Sequence, residues 1–542
     1  MLSYAHGGSD VPLLGETLGQ ALRRTVARFG DRDALVVRSQ AYRASWRALE
    51  DASARVARGL IAHDVAVGDR VAIWSPNRYE WVVTQLACAR IGAILVNLNP
   101  AYKTAELEYA LKQSSTSVLV HARAFRASDY AAMVAAVRPR LADLRLTLCL
   151  EDDWNTLIEH GERCSAGDLA AREDILQFDD PINIQYTSGT TGFPKGATLT
   201  HHNIVNNGYF VGRGCGFSER DRVCIPVPFY HCFGMVMGVL ACVTSGAAMI
   251  IPGEAFDAAA VLDAVAAERC TALYGVPTMF IAELDQPRLA DLDFSSLRTG
   301  IMAGSPCPVE VMKAVRDKLH MRDVTICYGM TETSPVSTQT ALDDPLELRV
   351  GTVGRVHPHL EIKIVDEQGR IVARGERGEL CTRGYSVMLG YWGDELATRQ
   401  AIDSARWMHS GDLATMNSAG YVNIVGRIKD MIIRGGENIY PREVEEFLHT
   451  HPAVSEAQVI GVPSEKYGEE IVAWIRVKPG MHVADDELTE FCRGQIATYK
   501  IPRWWKLVDE FPLTVTGKVQ KYRMRELAII ELALSAVKPD TA

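Results

Sequence analysis

The sequence predicts an α/β protein of more than one domain, ending in a small α+β domain. Three observations carry this. A chain of 542 residues is longer than one hydrophobic core organises. Short apolar runs alternate with helical segments over most of it, the rhythm of a parallel sheet covered by helices. Residues 350–427 then switch to period-two patterning, and the remainder mixes helices with strands.

Taken in order, residues 70–75, 93–98 and 117–122 read as strands. Residues 79–90 and 104–113 between them read as helices, with Thr104 as N-cap. Residues 146–150 form a further strand, and the polar stretch 151–180 connects or edges the sheet. Residues 182–186 alternate apolar and polar, as a strand does. Strands at 223–227, 272–274, 298–302 and 324–328 then alternate with helices at 256–270, 278–284 and 309–319. The most apolar stretch, 234–251, contains Thr244, Ser245 and Gly246 and reads as a buried helix followed by a strand, not a membrane span. Residues 361–365, 370–373, 379–382 and 421–425 are strands of a β-rich subdomain. The last part carries helices at 443–450 and 485–496, strands at 458–461 and 472–477, and a turn at Thr514-Val515-Thr516-Gly517-Lys518.

Strand ends matter most for function, because open α/β sheets bind ligands beyond the carboxyl ends of their strands. Five such ends run into Thr187-Ser188-Gly189, Pro228-Phe229-Tyr230-His231, Gly275-Val276-Pro277, Ala303-Gly304-Ser305-Pro306 and Gly329-Met330-Thr331-Glu332. Each alone reads as a plain turn; together they mark one crevice. The first continues to Lys195 and is the richest: Thr187, Ser188, Thr190 and Thr191 supply hydroxyls, Gly189 and Gly192 let backbone N–H groups approach an anion, and Lys195 adds charge. That is phosphate-binding chemistry without the P-loop spacing, which places Gly-Lys-Ser/Thr at the start of a helix. In isolation, a Ser/Thr/Gly surface loop fits this stretch equally well.

Composition narrows the classes. At 47% hydrophobic and 23% charged the chain is an ordinary globular protein. A net charge of −10 argues against nucleic-acid binding. The 12 cysteines show no C-x-x-C and no Cys/His cluster, which fits a reducing, cytoplasmic setting rather than zinc or a disulfide framework. The first residues lack the apolar run of a signal peptide.

The whole stretch Ile182 to Thr200 resembles the signature of the adenylate-forming enzymes, which include acyl-CoA synthetases, peptide-synthetase adenylation domains and luciferases. Four further motifs resemble the same family in the same order. They are Tyr328-Gly329-Met330-Thr331-Glu332, Ser410-Gly411-Asp412, Gly426-Arg427-Ile428-Lys429-Asp430 and Leu513-Thr514-Val515-Thr516-Gly517-Lys518. Within the family, Tyr230-His231-Cys232-Phe233-Gly234 and Met431-Ile432-Ile433-Arg434-Gly435-Gly436 look most like the medium-chain fatty acyl-CoA synthetase branch. The resemblance implies a large N-terminal domain, 1–428, of two α/β subdomains and a β-barrel-like subdomain, with a mobile C-terminal lid, 429–542.

The resemblance also implies roles. Acyl carboxylate would attack the α-phosphate of ATP with pyrophosphate leaving, and a thiol of coenzyme A would then displace AMP. Thr187, Ser188, Gly189, Thr190, Thr191, Gly192 and Lys195 would cradle the phosphates; Thr331 would bond the α-phosphate; Glu332 would hold Mg²⁺; Lys518 would bridge carboxylate and phosphate. Tyr328 would face adenine, with Gly304 and Ser305 on its other side. Asp412 would accept from the ribose hydroxyls, assisted by Arg427. Lys429 would be the hinge, and Gly435 and Gly436 would reach the adenylate with coenzyme A. His231 would lie near the substrate carboxylate, and Phe229, Met235, Val276, Met279, Met302 and Met330 would line an apolar tail pocket. Without the family, Asp412 reads as a turn former, Glu332 as a helix-start carboxylate, His231 as a structural histidine and the methionines as core.

The expected partners are a fatty or other small carboxylic acid and coenzyme A, with no nucleic acid, at most peripheral membrane contact, and room for a homodimer. Three other readings compete: an aromatic-acid:CoA ligase, a fatty-acyl-AMP ligase loading a carrier protein, and a non-catalytic protein that keeps the fold.

Overall fold

The computed structural model describes residues 1–187, 194–305, 307–435, 437–464, 466–514, 517–532 and 534. Its contacts divide it into two units: Tyr4–Ile362 with Cys381–His409, and Met1–Ser3 with Lys363–Leu380 and Ser410–Ala542.

The larger unit is built on two sheets. In one, five strands run parallel in the order Leu146–Cys149, Val118–His121, Arg70–Trp74, Ile94–Asn97, Pro181–Thr187. Lys195–Thr200 then pairs antiparallel with Pro181–Thr187, and the short Gly390–Tyr391 closes the edge antiparallel to it. In the nine-stranded sheet, Asp33–Val37, Ala248–Ile251, Arg222–Cys224, Ala272–Gly275, Thr299–Ala303 and Asp323–Gly329 are parallel. Antiparallel strands flank them, Tyr42–Ser45 on one side and Val336–Gln339 with Arg355–Val356 on the other.

A shared central core joins the sheets. Helices Leu18–Phe29, Trp46–Ala62, Tyr79–Ile91 and His201–Gly214 contribute to it, with Leu95 and Ile301 from the strands. Tyr79–Ile91 is buried from Glu80 to Ile91, as a helix packed on every side must be. The outer face of the seven-stranded sheet packs Ile94, Val96 and Ile184 on Leu107 and Val134. That of the nine-stranded sheet packs Leu273 and Met302 on Val261, Phe280 and Met312.

Some expectations change. The polar stretch after residue 150 forms two helices, Leu150–His160 and Ala166–Asp174. Their buried apolar side chains are Leu150, Trp154, Leu157 and Leu169, and Ser165 caps the second in a reciprocal box with Asp168. Thr104 is the first helical residue rather than the cap; the cap is Lys103, whose N–H donates to Glu106 Oε2 at 2.8 Å. The strand expected at 223–227 ends at Cys224, leaving 225–231 to reach the crevice. Ile371 and Ala373 make isolated bridges to Val365 and Leu2 instead of a strand.

In the smaller unit, strand Val422–Arg427 pairs antiparallel with residues 412–416, and turn Ile428–Asp430 follows. Beyond it Glu437–Ile439, Ile432–Arg434, Gly468–Val477 and Val454–Ser464 form a sheet, with Trp504–Leu507 parallel to Gly468–Val477. Helices Pro441–Leu448, Asp485–Cys492 and Lys521–Glu531 complete it.

Candidate active site

The expected phosphate loop sits between two antiparallel strands, with Thr187 opposite Lys195. Ser188, Gly189, Thr190, Thr191 and Gly192 lie outside the described residues, as do Gly436, Val515 and Thr516. Both loop ends are fixed. Thr187 Oγ1 donates to the Lys195 carbonyl at 3.4 Å, and Trp392 N–H donates to the Gly196 carbonyl at 2.7 Å. Lys195 Nζ lies 5.1 Å from the centroid of the Tyr391 ring.

Tyr391 leads to the expected metal carboxylate. Its hydroxyl donates to Glu332 Oε1 at 2.7 Å. Burial, then the Glu332 charge, raise the phenol well above its ordinary value, so it stays a donor. Glu332 is 6% exposed and its carbonyl accepts from Met388 N–H at 2.9 Å. The turn Thr331–Thr333 presenting it is tight: Met330 N–H donates to the Pro335 carbonyl at 2.9 Å, and a Cβ at Gly329 would meet that oxygen at 1.7 Å. Thr331, half-buried, opens the turn; its carbonyl accepts from Ser334 N–H at 3.1 Å. Lys195, Tyr391 and Glu332 thus form one constellation where the two sheets' strand ends meet.

Tyr328 is half-buried on the same strand, paired with Thr338. Gly304, exposed after Thr299–Ala303, has φ 93°, a left-handed conformation suited to glycine, and Ser305 follows it half-buried. His231 is half-buried after Pro228, and its Nδ1 accepts from Phe233 N–H at 3.2 Å. Nε2 therefore carries the proton of the neutral ring.

In the smaller unit Asp412, 6% exposed, pairs in register with Arg427, whose Nε donates to Oδ1 at 3.0 Å. Ser410 is structural: its hydroxyl donates to the Leu380 carbonyl at 2.6 Å and accepts from Asp412 N–H at 3.0 Å. Lys429 is exposed in the turn Ile428–Asp430. Gly435 has φ 61° and donates to the Tyr467 carbonyl at 2.8 Å. Lys518 is half-buried; its N–H donates to Thr514 Oγ1 at 3.0 Å, and its carbonyl accepts from Thr514 N–H at 2.7 Å.

Residues 22–392 match the family described as AMP-binding enzyme, and residues 443–518 match the AMP-binding enzyme C-terminal domain. The chain belongs to the AMP-binding enzyme family. It is 48% identical to the provisionally named acyl-CoA synthetase YngI of Bacillus subtilis (strain 168), over 97% of this chain and 99% of that one. It is 44% identical to medium-chain acyl-CoA ligase ACSF2, mitochondrial, of Danio rerio, over 98% and 91%. Among solved structures, anthranilate CoA ligase AuaEII in complex with anthranoyl-AMP superposes with a TM-score of 0.85 at 26% identity, covering 97% and 99%. The activity is that of an adenylate-forming acid:CoA ligase.

For this AMP-binding enzyme, one expected pocket residue does not join the others. Phe229, Met235, Val276, Met279 and Met330 all border the central core, whereas Met302 belongs to the outer one. The strand's alternation is the reason: Ile301 and Ala303 face the central core, so Met302 between them faces away. Tyr391 was not anticipated. Its only sequence signal is an aromatic after Gly390, and its role depends on edge pairing with Ala197.

Proposed function

We propose that this AMP-binding enzyme activates a medium-chain fatty acid as its acyl-adenylate and passes the acyl group to coenzyme A. The Lys195–Tyr391–Glu332 constellation carries the reading, since it offers a cation and a carboxylate beside a loop of phosphate-binding composition. The name of the Danio rerio relative and the uncharged walls Phe229, Met235, Val276 and Met279 support a medium-length apolar tail.

Glu332 fits Mg²⁺: it is a hard oxygen donor, held in place by the Tyr391 phenol, which brings no positive charge of its own. When bound, Mg²⁺ would neutralise triphosphate charge. Thr187, Lys195 and the loop between them would hold the phosphates, and Thr331 the α-phosphate. Tyr328, Gly304 and Ser305 would take adenine; Asp412, with Arg427, would accept from both ribose hydroxyls. His231 Nε2–H would donate to the substrate carboxylate. Lys518 would bring carboxylate and α-phosphate together, and a rotation about Lys429 would then exchange it for the Gly435–Gly436 segment and coenzyme A. That makes 1–428 and 429–542 the moving bodies. The cysteines, none of them in a disulfide among the described residues, favour a reducing compartment such as the cytoplasm. No described helix is long and apolar enough to cross a membrane.

The test is coenzyme-A-dependent AMP release over straight-chain and aryl acids. A maximum at medium chain length supports the reading; an aryl maximum replaces it. The half-reactions test the lid. Lys518→Ala should abolish adenylation yet keep thioester formation from supplied acyl-adenylate. Lys429→Pro, with φ fixed near about −65°, should do the reverse. Loss of the same half-reaction in both variants refutes the rotation.

A further inference from the structure

The inner face of the seven-stranded sheet changes chemistry as it nears the crevice. Leu95, Asn97, Asn183 and Gln185 share that face, while Ile94, Val96 and Ile184 face outward. Asn97, Asn183 and Gln185 are therefore amides buried where apolar side chains are the rule, 1%, 1% and 2% exposed. Helix Tyr79–Ile91 adds Trp81 and Gln85, one turn apart and 0% and 3% exposed.

Their hydrogen bonding is incomplete. Asn183 Nδ2 donates to the Leu95 carbonyl at 2.9 Å and to Asn97 Oδ1 at 3.1 Å, yet Asn183 Oδ1 has no partner. Neither Gln85 amide atom has one, nor does Trp81 Nε1. Asn97 Nδ2 and Gln185 Nε2 each reach Met235 Sδ at 3.8 Å, a poor acceptor, although Asn97 also donates to the Tyr230 carbonyl at 3.3 Å and Gln185 Oε1 accepts from Cys232 Sγ at 2.9 Å. Orphaned buried polar atoms are rare, and those on this sheet face and on the helix packed against it point to an absent partner. The charged groups at the two ends of this helix are paired, Arg78 with Glu80 and Glu151 and Arg90 with Glu173, and the amides between them are neutral.

The cluster adjoins the acyl walls. The Trp81 ring lies 5.4 Å from that of Phe229, and Met235 touches two of the amides. Resting on the reading that Phe229 and Met235 wall the acyl pocket, we infer that the pocket ends in a neutral hydrogen-bonding chamber that selects acyl chains bearing a distal hydroxyl or carbonyl oxygen. Such an oxygen accepts from Trp81 Nε1 and Gln85 Nε2, and a hydroxyl also donates to Asn183 Oδ1 or Gln85 Oε1. Met235, unbranched, swings aside to admit it.

The test compares kcat/KM for straight-chain acids of increasing length with their ω-hydroxy and (ω−1)-oxo analogues, using the full chain with ATP, Mg²⁺ and coenzyme A. At one chain length the oxygenated acid should exceed its parent by about tenfold or more, because a site built to hydrogen-bond rejects the analogue lacking the group. Gln85→Leu should erase that advantage and raise the parent acid; Asn183→Leu serves if Gln85→Leu does not fold. Preference for the parent acid at every length overturns the inference and leaves the chamber to water, with the fatty-acid reading intact. If no acid of either series releases AMP, both readings fall.

Discussion

Glu332 and Glu283 lie in the same unit and are buried alike, 6% and 0% exposed. Glu332 follows a strand end in a turn that cannot slide, with the Tyr391 hydroxyl on one oxygen. Glu283 lies in the last turn of helix Pro277–Leu284, and neither of its oxygens has a partner. A carboxylate survives burial as an anion only where something replaces its hydration. The Tyr391 phenol does part of that for Glu332 and brings no positive charge of its own. Glu283 has no such donor, and the carbonyl end of its helix disfavours an anion, so burial raises its carboxyl well above the usual range. Asp412 in the smaller unit is a third case. The Arg427 guanidinium offsets its charge, which suits it to accept from hydroxyls rather than hold a metal.

The contrast breaks most readily at Glu332. Glu332→Gln keeps the shape and an acceptor for Tyr391 but removes the charge. Acid-dependent ATP–pyrophosphate exchange should fall by about a hundredfold or more, whereas Glu283→Gln, at a buried side chain that no step of the reaction uses, should stay within about twofold. Exchange at the parent rate in Glu332→Gln would remove the carboxylate from the mechanism.

Asp412→Ala should act on nucleotide affinity instead. A charge-assisted hydrogen bond contributes ~1.5–3 kcal/mol, so KM for ATP should rise roughly ten- to a hundredfold with less change in kcat. An unmoved KM would separate Asp412 from the ribose. Tyr391→Phe should cost less, about tenfold, because water can enter and replace the phenol. Its mark is a higher Mg²⁺ requirement for binding a fluorescent ATP analogue, measured without acid or turnover. Equal loss at all Mg²⁺ concentrations would make Tyr391 a packing residue.

Period and turn chemistry made much of this legible. The alternation over residues 70–122 reappears as Arg70–Trp74, Ile94–Asn97 and Val118–His121 with their helices. The strand ends at Thr187, Gly275, Ala303 and Gly329 also fall where the residues placed them. What stayed hidden depends on partners distant in sequence. Tyr391 meets Glu332 only because Gly390–Tyr391 pairs with the strand that begins at Lys195. Met302 reads as pocket from its loop, but the strand's facing turns it outward. Helices Leu150–His160 and Ala166–Asp174 bury so few side chains that their polar surfaces dominate the pattern. The orphaned amides Gln85 and Asn183 look in the sequence like ordinary surface residues.

The smallest effect expected concerns stability, and its sign follows from Glu283. Its ordinary value is 4.5, and the folded value lies well above it. Below about pH 4.5 both folded and unfolded states hold the proton, and the group adds no pH dependence. Above that, only the unfolded chain is ionised, so unfolding releases a proton and stability falls by about 1.4 kcal/mol per pH unit until the folded value is passed. Carboxylates held low by arginines, such as Asp33, Glu268 and Glu361, have the opposite sign, but they are common to parent and variant and cancel in a difference. Glu283→Gln cannot ionise. Its urea midpoint should therefore match the parent's near about pH 4.5 and exceed it increasingly as the pH rises from there towards the folded value. Parallel curves would mean that Glu283 is ionised and partnered in the folded protein. Burial without a donor would then not distinguish it from Glu332.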